Sequence, residues 1–450
     1  MERTSVLVIG GSAAGIVAAV TGKSHYPDKD FLLIRKEKQV LVPCGIPYIF
    51  GSLESSNKDI VPDATLTNAG IGLKIGEVVS IDQKNKICKT ADGTEISFEK
   101  LVLATGSAPV VPKWLKGGNL ENVFTIRKDK AYLDKVMARL NDCKKVVTIG
   151  GGFIGVEVSD ELNKLGKDLT IVEILPHILG LVFDEEIAVK AEEILESRGV
   201  KIKTNVGVKE ILGDKKVTSV LLNNGENLET DAVILSMGYR SNTELAQKSG
   251  MKINEMGFIK LDEYMRTDNP DFFAVGDCAE KRDFFTRKLS GVMLASTACA
   301  EARIAGMNLY KLCAVKTFSG TIAVFSTAIG ETSFGAAGLT ETIARKEGFD
   351  AVTGTFEGID KHPGTLPGTH KQIVKLVVAR DSGVIIGGEV IGGPTTGELT
   401  NLIGLVIQNK MIVNSILTAQ IGTHPLLTAP PTAYPLIKAV EVVAKKIKSV

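Results

Sequence analysis

An excess of charge, paired cysteines and a long apolar run are all missing from this 450-residue sequence. Its 53 basic and 52 acidic residues leave a formal charge of +1. Such a balance gives no broad attraction for nucleic acid or for an anionic membrane, and favours small molecules or protein partners. The six cysteines stand far apart, at 44, 88, 143, 278, 299 and 313, with no C-x-x-C pair. That spacing suggests neither a zinc knuckle nor a disulfide framework, so each cysteine is judged by its neighbours. No uninterrupted apolar stretch reaches the ~20 residues that cross a bilayer, and a soluble, cytoplasmic protein is expected. His362 and His370, in KHPGTLPGTH, lack Cys or His partners at ligand spacing, so no metal site is expected. The apolar opening MERTSVLVIGGSAAGIVAAV contains Gly10, Gly11 and Gly15 and reads as strand, turn and helix, not as a targeting segment. The length itself predicts two or three domains.

A repeat is present. VLVIGGSAAGIVAAV at 6–20 and VVTIGGGFIGVEVSDEL at 146–162 share an apolar strand, a glycine turn and a helix. In the second copy Gly150, Gly152 and Gly155 complete G-x-G-x-x-G, and Phe153 and Ile154 lie between its last two glycines. The first glycine allows the tight turn, the second lets backbone approach a pyrophosphate, and the third lets helix pack on strand. The helix N-terminus adds amide donors and a partial positive charge. Glu173 ends LTIVE, 23 residues after Gly150, where a carboxylate accepts hydrogen bonds from an adenosine ribose. The same charge repels a 2′-phosphate, so NADH is expected over NADPH. The first copy, Gly10-Gly11-Ser12-Ala13-Ala14-Gly15, has serine as its middle residue, and Arg35 stands in the acid position.

Between the copies, KICKTADGTEISFEKLVLATG predicts a meander returning to a buried strand at 101–104. DAVILSMGY at 231–239 predicts another buried strand running into a loop. From about residue 320 the texture changes to paired strands and then helices, which predicts a separate α+β domain.

ATGSAP at 104–109, SMGYRSNTEL at 236–245 and TDNPDFFAVGDCAE at 267–280, taken with both glycine turns, resemble the two-dinucleotide flavoprotein disulfide reductases, the pyridine nucleotide-disulfide oxidoreductases. The resemblance implies an α/β fold with two Rossmann-like domains, FAD-binding and NAD(P)-binding, and a C-terminal α+β dimerisation domain. The implied division is 1–115 and 243–320 for FAD, 116–242 for NAD, and 321–450 for a homodimer contact. For FAD it implies Gly10, Ser12, Ala13, Ala14, Gly15, Arg35, Ala104, Thr105, Gly106 and Asp277. For NADH it implies Gly150, Gly152, Phe153, Ile154, Gly155, Glu173 and Gly238.

The stretch LVPCGIPY, with Cys44 lying 34 residues beyond Gly10, is similar to the single-cysteine branch. That branch holds coenzyme A disulfide reductases, NADH-dependent polysulfide or persulfide reductases, and NADH oxidases and peroxidases. Two-cysteine members carry C-x-x-x-x-C, whereas position 49 here is isoleucine. The resemblance makes Cys44 the redox nucleophile. Such a thiol needs a lowered pKa, which a helix begun by GIPYIF, with Pro47 in its first turn, or an electropositive neighbour would supply. The other five cysteines lack a supporting motif and are expected to be structural. Oxidases and peroxidases of the branch place a histidine in the first glycine turn, where this chain has Ala13 and Ala14. Coenzyme A disulfide reductases carry C-terminal tyrosines, where this chain has Thr365 and Leu366, with Tyr434 out of register. His424, in THPLLTAPP, is similar to the acid/base histidine of two-cysteine members, but Ala429 replaces its orienting glutamate. His424 is thus either an acid/base or a loop residue. The expected activity is FAD-dependent reduction by NADH of a small sulfur-containing substrate: polysulfide, persulfide or a low-molecular-weight disulfide. The alternatives are an NADH oxidase and a flavin-bound redox sensor.

Overall fold

A computed structural model describes residues 1–313 and 318–448. Two parallel five-stranded sheets and one antiparallel five-stranded sheet organise the chain. In the first, the strands run in the order Phe272–Ala274, Lys100–Leu103, Val6–Ile9, Phe31–Arg35 and Gly72–Ile75. All four residues of Val6–Ile9 are buried, as suits a central parallel strand covered on both faces. The second sheet repeats the plan with Val123–Thr125, Ala232–Leu235, Lys145–Ile149, Asp168–Val172 and Lys201–Lys203. Phe272–Ala274 joins the first sheet only after the second has been completed, so the first unit is built from two separated pieces of chain. The predicted meander is present as Val78–Asp82, Ile87–Thr90 and Glu95–Ser97, returning to Lys100–Leu103.

The helices Ala13–His25 and Ala295–Met307 cover one face of the first sheet. Their contact is close because a Cβ at Gly306 would come within 2.9 Å of Ala18 O. The third sheet runs Phe325–Ile329, Thr332–Gly338, Ile385–Gly392, Lys371–Ala379 and Ala351–Ile359, backed by helices Thr396–Gln408 and Pro435–Lys448. It rests on the second unit through aromatic rings. Phe153 stacks on Phe325 at 5.3 Å, and Phe183 meets Phe334 edge-on at 6.2 Å. Among the described residues, no helix is long and apolar enough to cross a membrane.

Candidate functional site

The two glycine turns have the same internal geometry. Gly10 and Gly150 take φ of +114° and +105°, a region that side chains with a Cβ rarely enter. A Cβ on Gly10 would collide with Ala104 O, and one on Gly150 with Ser236 O. Gly15 and Gly155 each lie against the carbonyl of the first glycine in their own turn, again with no room for a Cβ. The middle position differs: at Gly152 a Cβ would meet nothing within 4 Å. That open space explains why serine is accommodated at the equivalent position, where Ser12 N-caps helix Ala13–His25 without spending its side chain on a cap bond. Both turns thus present a backbone surface and a free helix N-terminus, the cradle a pyrophosphate needs.

A short ribbon joins the cradles. Ser107–Pro109 pairs antiparallel with Tyr239–Ser241, in register Ser107 to Ser241. Upstream, Thr105 Oγ1 donates to Asn242 O at 2.6 Å and Gly106 O accepts from Asn242 N at 2.9 Å, fixing Ala104–Gly106 beside the first turn. Gly106 and Gly238 both have positive φ, +69° and +90°. Against this ribbon lies the turn Gly276–Cys278, whose Asp277 accepts from Ser107 Oγ at 2.7 Å and from Lys128 Nζ at 2.8 Å. Burial works against the Asp277 charge, but Lys128 and Ser107 outweigh it and hold the carboxyl below the usual carboxylate range. Lys128 reaches this point from the loop before helix Lys130–Asn141, and no sequence motif marked it.

Cys44 lies in the 3-10 helix Pro43–Phe50. The segment begins earlier and winds tighter than the helix expected from GIPYIF, because Pro47 has no N–H for an α-helical bond. Its turn packs Ile46, Ile49 and Phe50 into one core with Val156, Val158 and Leu162 of helix Phe153–Asn163. Ile49 is fully buried there. Gly45 is required because a Cβ would collide with Asp59, itself buried behind the turn. The sulfur faces open surface, although the walls around it withhold much of its solvation.

The expected activation by a helix N-terminus is not found. The Gly45 N–H is spent on Val42 O at 2.8 Å. Burial pushes the Cys44 thiol up, and the charge of Glu157 pushes it further, against a pull from Lys128. Cys299 and Asp277 also raise it, so ionisable groups from four distant parts of the chain act on this sulfur. Cys299, expected to be structural, is half-buried and belongs to these surroundings, whereas Cys88, Cys143 and Cys278 are buried and Cys313 is exposed.

The remaining predicted site residues fall as follows. Ala14 is buried against the Asp277 turn, where a Cβ on Gly276 would come within 2.9 Å of it, and Ala13 is half-buried. Arg35 spends four of its five N–H donors inside the protein. Its guanidinium grips Asp63 at 2.7 and 2.9 Å and donates to the carbonyls of Glu37 and Lys38. The Arg35 stem instead packs on the first turn at Gly11. Glu173 folds toward the second turn, accepting from Gly151 N at 2.6 Å and Leu175 N at 2.9 Å. His424 is exposed. Its ring accepts from Leu426 N at 3.3 Å, its backbone N–H donates to Thr428 Oγ1, and among the described residues no carboxylate orients it.

Two glycine cradles on parallel sheets, joined by a short ribbon, define a dinucleotide-dependent oxidoreductase. Residues 4–302 match the family described as pyridine nucleotide-disulphide oxidoreductase, and residues 324–434 match its dimerisation domain. The chain belongs to this family, whose members use FAD and NAD(P)H. It is 30% identical to a protein of Methanocaldococcus jannaschii named NADH oxidase, over 98% of this chain and 99% of that one. It is also 30% identical to an NAD(P)H coenzyme A polysulfide/persulfide reductase of Pyrococcus horikoshii, over 99% of each. Among solved structures, an NAD-dependent persulfide reductase from A. fulgidus aligns with a TM-score of 0.90 at 27% identity, over 99% of this chain and 84% of that one.

Proposed function

We propose that the chain is an FAD-dependent NADH oxidoreductase that reduces polysulfide, persulfide or a small disulfide through Cys44. The observation that carries this reading is the exposed thiol of Cys44 in a chain that holds two glycine cradles, with buried Ile49 where a second cysteine would stand. FAD fits the first cradle: the turn from Gly10 to Gly15 has no room for a Cβ at either end, and Asp277 offers a fixed carboxylate for its ribityl region. Ala104–Gly106 flanks the same space. Arg35 supports the turn from behind. NADH fits the second cradle at Gly150, Gly152, Phe153, Ile154 and Gly155, with Gly238 opposite and Glu173 at its edge. When bound, FAD supplies acceptance of a hydride from NADH and return of two electrons to a sulfur centre.

The chain's own residues do the rest. Cys44 attacks an S–S bond and holds the captured sulfur, and Lys128 with Asp277 fixes the charge balance beside it. Ala14, packed on the Asp277 turn, leaves no histidine there for peroxide chemistry. Glu173 presents negative charge where a 2′-phosphate would arrive, which favours NADH over NADPH. Residues 1–115 and 243–320 then form the FAD unit, 116–242 the NADH unit, and 321–450 the contact of a homodimer. Six unpaired cysteines suit a reducing, cytoplasmic setting. The oxidase reading is favoured by the names of several relatives, called NADH oxidase. An anaerobic panel of polysulfide, coenzyme A disulfide and glutathione disulfide, set against oxygen and peroxide at matched NADH, separates the two. Sulfur acceptors are expected to be reduced faster, and an enzyme that consumed oxygen quickly and ignored sulfur would overturn the proposal.

A further inference from the structure

The two oxygens of Asp277 are used unequally. Ser107 Oγ donates to Oδ2 at 2.7 Å, and Lys128 Nζ donates to the same atom at 2.8 Å while also reaching Ser107 Oγ at 3.2 Å. Among the described residues no hydrogen bond reaches Oδ1, so that oxygen is left for a ligand. The turn is held close to the first cradle. A Cβ on Gly276 would come within 2.9 Å of the Ala14 methyl on helix Ala13–His25, and Gly276 N donates to buried Glu301 at 2.8 Å.

One of the two donors comes from elsewhere. Ser107 lies in the ribbon beside the first cradle, whereas Lys128 follows strand Val123–Thr125 of the second sheet. Its loop is braced against the ribbon: Tyr239 Oη donates to Ile126 O at 2.5 Å, and Lys128 Nζ stands 5.8 Å from the centre of the Tyr239 ring.

Resting on the reading that Asp277 holds the ribityl region of FAD, we propose that Lys128 is a positioning residue for FAD supplied by the second unit: it fixes Asp277 through Oδ2 and leaves Oδ1 to accept from a cofactor hydroxyl. A charged acceptor makes a hydrogen bond roughly twice as strong as a neutral one. Burial pushes the Asp277 carboxyl up, and Lys128 supplies the largest opposing pull, ahead of Ser107 and of Lys281 beneath the turn. The first cradle is therefore complete only with the second unit in place.

FAD affinity tests this, read by flavin fluorescence as FAD is titrated into the deflavinated full-length chain. The Lys128 side chain is 35% exposed, so Lys128→Met leaves the core intact. Its Kd for FAD is expected to rise about tenfold or more, the loss of one charged hydrogen bond. Lys128→Arg retains the cation and is expected to stay within about threefold of wild type. Asp277→Asn is expected to weaken FAD at least as much as Lys128→Met does. Adding Lys128→Met to Asp277→Asn is expected to change Kd by no more than about twofold, because the lysine acts through that carboxylate. A lysine that gripped the cofactor phosphates directly, or that merely supported the fold, would weaken FAD equally in both backgrounds. That result, an unchanged Kd in Lys128→Met, or a Lys128→Arg as weak as Lys128→Met, would overturn the proposal. The reading beneath it fails separately: if Asp277→Asn alone leaves Kd unchanged, Asp277 does not hold FAD and the proposal falls with it, whereas loss in Asp277→Asn with none in Lys128→Met sinks the proposal alone.

Discussion

Replacing Lys281 with methionine removes half of a buried ion pair directly beneath the Asp277 turn. The Lys281 and Glu301 side chains are 1% and 0% exposed, with nitrogen and oxygen 3.7 Å apart. Lys281 Nζ donates to Gly276 O and Ala279 O, both at 2.9 Å, and Glu301 Oε2 accepts from Gly276 N at 2.8 Å. Glu301 Oε1 has no hydrogen-bond partner, so this lysine is its nearest compensation. Breaking such a pair from one side costs about 3–5 kcal/mol. For a cooperative unit of roughly 150–250 residues that is a fall in Tm of roughly 6–20 °C.

The loss has a pH signature. Burial raises Glu301 from its ordinary 4.5 to about 7, with Lys281 opposing the rise. A carboxyl raised on folding contributes stability below its unfolded pKa and loses it as pH climbs through the folded value. Without Lys281 that loss deepens. At pH 8 the full penalty is expected. At pH 6, where Glu301 takes up a proton, the remaining loss is that of the two carbonyl bonds, about 1–3 kcal/mol. Thermal unfolding of Lys281→Met at both pH values measures this, and adding Glu301→Gln should shrink the pH 8 shift to the pH 6 value. A Tm change below ~2 °C at both values, or one independent of pH, would refute the reasoning.

In the second cradle, Gly155→Ala places a methyl against Gly150 O, and the KM for NADH is expected to rise by about tenfold, some 1.4 kcal/mol, with FAD content unchanged. Steady-state kinetics and flavin absorbance check it, and an unchanged KM would contradict the cradle assignment. Glu173→Ala removes the negative charge beside Gly151 N, and the ratio of kcat/KM for NADPH over NADH is expected to rise about tenfold or more. A ratio that stayed put would remove Glu173 from cofactor choice.

Much of the scaffold was legible because backbone contacts dictate residue type. Gly10, Gly15, Gly150 and Gly155 each press on a carbonyl, so their spacing reports the turn itself. Ser12 blurred the first motif only in appearance, since its position is the open one. Buried strands such as Val6–Ile9 and Ala232–Leu235 announced themselves as unbroken apolar runs. The groups around Cys44 were not legible in the same way. Lys128, Asp277, Cys299 and Glu157 come from four separate segments, and nothing local to any of them marks a shared destination. One faint signal existed. Glu157, Asp160 and Glu161 are acids in a helix otherwise set among buried apolar residues, and charge in such a place needs partners. Arg35 stands in the acid position of the first unit, and nothing local to it signals that an internal carboxylate, Asp63, takes its guanidinium. The activation of Cys44 also differed from expectation, since a tight 3-10 turn spends its amides internally.

The central claim is that electrons reach sulfur acceptors through Cys44. Anaerobic NADH oxidation with polysulfide, measured on the FAD-loaded wild type and on Cys44→Ser, tests it most directly. The account predicts many turnovers per flavin for wild type and loss of sulfur reduction in Cys44→Ser, with FAD and NADH still bound. Sulfur reduction at the wild-type rate in Cys44→Ser would contradict it.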